Sequence, residues 1–255
     1  MIQQSIEKGV LKNKMPALVI SMLNDHTSTV ATRRLLQSIT NTDSQVFPFI
    51  INATIPATLN KDLAVYKKTL NNWTYPKSPA ETRIDIKTGL TISGYNAKDY
   101  TKVVSCLVSH MKCWDIVRTL DMPMMVLEHD ALFVRRFAST PSAWVKHGIV
   151  GLNDPRGATR KGSVFLERVI NSKKANGTEF LLCPWVDDNQ SAPQGIAGNS
   201  AYVINPKMAN KLFDKIDEIG LWPNDAIMCK QFFPTLKVVY PFFTTIQGIK
   251  STTQG

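Results

Sequence analysis

The order of apolar and polar stretches between Ala17 and Thr54 admits few folds. ALVISML, from Ala17 to Leu23, is a compact run rich in branched residues, as a strand buried on both faces requires. It ends in Asn24, Asp25, His26, Thr27 and Ser28, a polar loop with several helix-capping residue types. TVATRRLLQSI then fits a helix, and VFPFIINAT, from Val46 to Thr54, fits a second strand. A strand, a loop, a helix and another strand favour a parallel sheet covered by helices. The predicted class is therefore α/β, a single Rossmann-like sheet flanked by helices.

The same periodicities place the remaining elements. Residues 1–15 are polar and form a loose segment or a short surface helix. Residues 55–98 hold Pro56, Pro76 and Pro79 and read as loops with one or two short helices. From Asp99 to Leu120 the pattern is helical: Val103, Val104, Leu107, Met111, Trp114 and Val117 fall on one face. MMVL, from Met124 to Leu127, is a short buried strand, and IVGLND is another strand-like piece. DPRGATRKG is a flexible lid or an exposed connector. SAYVINPKMANKLFDKI reads as a strand, a turn at Asn205 and Pro206, and a helix. LKVVYP is a late strand, and the tail FFTTIQGIKSTTQG has no clear element. Residues 1–255 are expected to form one domain.

Charge bounds the partners. Thirty lysines and arginines against 20 acids give a net charge of +10, which suits an anionic partner: nucleic acid, an acidic membrane surface or a phosphorylated substrate. The four cysteines form no C-x-x-C pair, as expected of a reduced intracellular protein. The opening MIQQSIEKGVLKNK lacks the apolar middle of a signal peptide, and the longest apolar runs are too short to span a membrane. A soluble, cytoplasmic protein is expected, in the host cytoplasm if the chain is viral.

The chemistry concentrates in MMVLEHDALF. Four apolar residues run into Glu128, His129 and Asp130, and charged groups are rarely buried without a partner. Two acids at the end of a buried strand are a common way to hold a divalent cation, manganese or magnesium, beside a nucleotide diphosphate. Strand ends are also where ligands collect in open α/β sheets.

The longer segment CLVSHMKCWDIVRTLDMPMMVLEHDALF resembles the central block of glycosyltransferase family 25, the lipopolysaccharide and collagen-type sugar transferases. Ser109, His110 and Trp114 match the family's Ser-His pair and following tryptophan. Glu128-His129-Asp130 stands where the family has an acidic triplet. VISMLNDHTSTVATRR, GNSAYVINPKMANKL, PNDAIM and a closing Gln247 and Ser251 resemble further family blocks in the same order. The resemblance implies an A-type glycosyltransferase fold and a UDP-sugar donor. Histidine in the middle of the triplet departs from the pattern: His129 either joins the cation's ligands or faces away, as alternate strand residues do.

The resemblance also implies roles. Asp130 is expected to ligate the metal, with Glu128 as the second carboxylate, unless Glu128 pairs with a local arginine instead. Arg33 or Arg34 is expected to grip phosphate. Ser21, Ser109 and His110 are expected near the donor, although a buried histidine on an apolar helix face also suits a core. Transfer with inversion needs a base beside the acceptor hydroxyl. Asp225 is the first candidate, against a plain helix cap; Asp188 and its neighbour Asp187 are the rivals. Trp185 or Trp222 either stacks on a sugar or belongs to the core.

The acceptor divides the readings. Hydroxymethylated cytosine in DNA, as modified in bacteriophages, suits the basic charge and the absence of membrane segments. A lipopolysaccharide or other glycan core is the alternative. A non-catalytic nucleic-acid-binding protein on the same scaffold is the third.

Overall fold

The computed structural model describes residues 2–7, 11, 13–158 and 161–249. A helix, α1 (Ile2–Glu7), precedes β1 (Met15–Ser21), every residue of which is buried. Then come α2 (His26–Asn41) and β2 (Val46–Asn52). Asp25 caps α2 by accepting the Ser28 N–H at 2.7 Å, so the helix starts three residues earlier than TVATRR suggests. After α3 (Leu59–Val65), the hairpin of β3 (Thr82–Ile84) and β4 (Thr91–Ser93) occupies a stretch read from sequence as loop.

The helix α4 (Tyr100–Thr119) leads to β5 (Met124–Glu128), which is buried until its last residue. Next are β6 (Ala131–Phe133), β7 (Ile149–Gly151), α5 (Gly162–Ser172) and β8 (Glu179–Leu182). The chain continues through β9 (Ala201–Ile204), α6 (Pro206–Ile219), α7 (Asn224–Ile227), β10 (Lys237–Tyr240) and β11 (Thr244–Ile246). DPRGATRKG contains a 3-10 turn at Pro155–Gly157 and runs into the start of α5; residues 159 and 160 lie outside the described residues.

The expected helix-flanked α/β sheet is present, but it is mixed rather than parallel. Its order is β2-β1-β5-β9-β7-β10-β8. β1 pairs in parallel with β2 and β5, and β7 pairs in parallel with β10. β9 lies antiparallel between β5 and β7, and β8 is an antiparallel edge. Strand direction depends on how the connections run, which local pattern does not record. The tail also corrects expectation, because β11 pairs antiparallel with β6 more than a hundred residues away in sequence.

Alternation along the strands builds two cores, one on each face of the sheet. Leu18, Ile20, Met124, Val126, Tyr202 and Ile204 point to the face covered by α4 and α6. Met15, Ala17, Val19, Met125, Leu127, Ala201 and Val203 point to the other, with Leu35 of α2, Phe137 and Trp144. The four cysteines are free thiols. Among the described residues, no helix is long and apolar enough to cross a membrane.

Candidate active site

β1 and β5 end side by side, with Ile20 in register with Glu128. A cleft of about 1080 Å³ opens at these strand ends. Its wall is formed by the acid turn after β5, the first half of α4, the loop before β9 and the start of α7. Volumes near 1000 Å³ lie at the upper end of small-molecule sites.

Glu128, His129 and Asp130 all line this cleft. The turn they form is held from behind by Gln247, which follows β11. Its backbone N–H donates to the Asp130 carbonyl at 2.8 Å. Its carboxamide Nε2 donates to the carbonyls of Ala31 (2.9 Å), His129 (3.2 Å) and Ala131 (3.2 Å). Burial, then the nearby Glu128 charge, pushes the Asp130 carboxyl up to about 7. Burial holds the His129 imidazole below its ordinary range.

Glu128 accepts from His110 Nε2 at 3.1 Å and has no arginine partner among the described residues. The histidine is the middle of a directed chain. Trp114 Nε1 is only a donor, and it donates to the Tyr202 oxygen at 2.7 Å. Burial raises the Tyr202 phenol far above its usual range, so its own proton is present and points to His110 Nδ1, 2.8 Å away. Nε2 therefore carries the imidazole proton and donates it to Glu128. Thus His110 orients a carboxylate of the site instead of idling in the core. Ser109 is buried, donates to the Ser105 carbonyl at 2.8 Å and accepts the Thr54 N–H at 2.9 Å, tying α4 to the exit of β2.

Asp225 also lines the cleft, in the first turn of α7. Tyr95 donates to its Oδ1 at 2.6 Å. Asp225 is exposed to the cleft, yet the protein packed around its carboxyl desolvates it and raises it above the usual carboxylate range, although the Tyr95 bond opposes the shift. Gly195 packs against this turn so tightly that a Cβ there would stand 2.5 Å from the Asp225 carbonyl oxygen and 2.9 Å from that of Met228.

Four expected residues sit elsewhere. Arg33 and Arg34 are exposed and do not line the cleft, because Ser28, Ala31, Thr32, Leu35, Ser38 and Ile39 form the buried face of α2. Ser21 is buried and accepts from Thr32 Oγ1 at 2.8 Å, which pins α2 to β1. The Asp188 side chain is 96% exposed beside Arg168, a poor place for a base. Asp187 does line the cleft and forms an ion pair with Lys161. Trp222 is core, donating to Thr74 Oγ1 at 3.0 Å, and the Trp185 ring lies under Lys230.

The acid turn fits a divalent cation. Asp130 Oδ1 is buried without a hydrogen-bond partner among the described residues, and the Glu128 charge acts on its carboxyl. Carboxylate oxygens are the ligand type that a hard divalent cation takes. Cys106, His110 and Glu128 also bring ligand atoms within 4.8 Å of one another. That trio suits a hard cation poorly: both His110 nitrogens are engaged, and burial keeps the Cys106 thiol protonated.

Sequence reasoning did not single out Tyr202, Tyr95 or Asn199. Tyr202 carried one local signal, a polar-tipped aromatic in a strand otherwise made of Ala201, Val203 and Ile204. Its partners lie 88 and 92 residues away.

Comparisons with known proteins bear on the family of the chain. The family model described as glycosyltransferase family 25 (LPS biosynthesis protein) matches residues 63–228, well over half of the chain. No curated protein matches. Among solved structures, mouse xyloside xylosyltransferase 1 in its apo form is similar with a TM-score of 0.41 and 9% identity, over 88% of this chain and 83% of that one. The family match spans α4, β5 with its acid turn, β9 and the Asp225 turn, and on it the chain belongs to glycosyltransferase family 25.

Proposed function

We propose that this glycosyltransferase moves a sugar from a UDP-sugar to an acceptor hydroxyl, with inversion at the anomeric carbon. The supporting observation is the meeting of Glu128, Asp130 and Asp225 in one cleft at the strand ends. Glu128 and Asp130, with His129 beside them, would hold a divalent cation. When bound, it supplies positive charge that offsets the charge growing on the departing diphosphate. Asp225 is the base that takes the acceptor's proton. Tyr95 fixes its orientation, and its raised proton affinity makes it a better base than a solvated aspartate. Ser109 and His110 act one layer back, holding the β2 exit and the Glu128 carboxylate.

A glycan core is the acceptor favoured by the cleft's charge. Among the described residues, four acids, Glu128, Asp130, Asp187 and Asp225, line it against one lysine, Lys102. Such a wall suits a neutral sugar better than a polyanion, and the matching family is described by its part in LPS biosynthesis. Hydroxymethylated cytosine in DNA is the second reading. It is favoured by the net charge of +10 and by Lys98, exposed beside the cleft lining. The test is UDP release from a panel of UDP-sugars, with core oligosaccharide, hydroxymethylated DNA, unmodified DNA or no acceptor. Release only with oligosaccharide supports the first reading, and release only with hydroxymethylated DNA supports the second. Failure to bind any sugar nucleotide would return the chain to a non-catalytic role.

A further inference from the structure

The loop entering β9 brings two polar side chains against the acid turn. The Glu128 backbone N–H donates to the Ser200 carbonyl at 2.8 Å, so Asn199 and Ser200 sit beside the end of β5. Both line the cleft. Ser200 is only 7% exposed, and its Oγ has no hydrogen-bond partner among the described residues. Nδ2 and Oδ1 of Asn199 are likewise buried and unpartnered. Gly198, at φ +75°, turns the chain just before them, and a Cβ there would stand 3.0 Å from Asn153 Nδ2. The backbone that presents Asn199 is therefore closely packed.

Unsatisfied buried polar atoms cost stability, and folded proteins keep few of them. Three on adjacent residues, facing a cleft, call for a ligand. The ligand's chemistry follows from the atoms. A carboxamide offers a donor and an acceptor side by side, and a serine hydroxyl offers both in one atom. Neighbouring hydroxyls on a sugar ring present the complementary set.

We propose that Asn199 and Ser200 form the subsite that reads the hydroxyl pattern of the donor sugar, and so set which nucleotide sugar the enzyme prefers. The assignment rests on the reading of this cleft as a nucleotide-sugar site. Asn199→Ala and Ser200→Ala separate the two ideas. Calorimetry with manganese present compares UDP, UDP-glucose, UDP-galactose, UDP-xylose and UDP-N-acetylglucosamine on the wild type and on each variant. The wild type should rank the sugars. Each variant should narrow the spread between best and worst by roughly 10-fold, the scale of one well-placed hydrogen bond, while UDP alone binds as before. Without ligand, the variants should melt no lower than the wild type, because an unsatisfied polar group has been removed.

Variants that keep the full ranking overturn the subsite. So do variants that melt lower and lose UDP affinity in step, since that is the signature of a structural role. A wild type that binds neither UDP nor any UDP-sugar removes the parent reading and the subsite with it, a result distinct from variants that bind but do not discriminate.

Discussion

Tyr202→Phe removes one oxygen and tests the chain that aims Glu128. That oxygen accepts from Trp114 and donates to His110, both buried, at 0% and 1% exposure. Phenylalanine fills almost the same space, so packing against the sheet survives and the loss is confined to polar groups. Two of them, the Trp114 N–H and the His110 Nδ1, are left in a dry interior. At about 1–3 kcal/mol for each orphaned group, a loss of about 3 kcal/mol is expected. For a chain of this size about 2–4 °C accompanies each kcal/mol, so the melting temperature should fall by about 6–12 °C. A second effect is separate from stability. Without the phenol proton at Nδ1, the imidazole is free to carry its proton there, and Nε2 no longer has to donate to Glu128. Turnover, measured as UDP release at a temperature where the variant is fully folded, should fall by roughly 10-fold or more, the scale of a lost hydrogen bond to a charged group. Thermal unfolding by circular dichroism supplies the first number. A variant melting within about 2 °C of the wild type with unchanged turnover would refute the directed chain.

Three further perturbations bear on the same cleft. Asp130→Ala should abolish transfer while leaving the circular dichroism spectrum native; full activity would remove the metal-site argument. Asp225→Asn should bind UDP normally and lose turnover by on the order of 10²-fold or more, and the wild type's low-pH limb of kcat/KM should vanish with it. The sign follows from the raised Asp225 carboxyl. The folded protein keeps this proton to a higher pH than the unfolded chain, so activity rises, and the group's contribution to stability falls, as pH climbs from about 4 through that raised value. The asparagine variant should show neither slope, and its melting temperature near neutrality should not drop. Gly195→Ala drives a methyl into the carbonyls of Asp225 and Met228. Displacing that backbone should cut turnover by roughly 10-fold or more with less effect on donor affinity, as expected when a base is moved by a fraction of an ångström; equal losses in both would point to general unfolding.

The strand ending in Glu128 was legible because burial on both faces leaves an unbroken apolar run, and its end marks where the chain meets water. The long α4 was legible from its helical period, whereas the loop 24–28 offered several capping residues and did not single out Asp25 or the start of α2 at His26. Arg33 and Arg34 were misplaced by the family pattern, although the helical period of α2 sets both opposite its buried face. Ser21 was read as a ligand contact because nothing nearby in sequence reveals Thr32 as its partner. His110 needed Tyr202 to acquire a role, and that partner arrives from a strand inserted antiparallel beside β5. The direction of β9, the pairing of β11 and the hairpin of β3 and β4 are products of distant contacts, which no window of neighbouring residues contains.

The grip of Gln247 on the acid turn has a practical side. Four of the bonds that shape the turn of Glu128, His129 and Asp130 come from a residue near the end of the described residues. Proteolytic trimming past β11 would spare both cores and the large helices, yet release the carbonyls of His129, Asp130 and Ala131. Such a clipped protein would still look folded by bulk spectroscopy while having lost the shape of its acid turn.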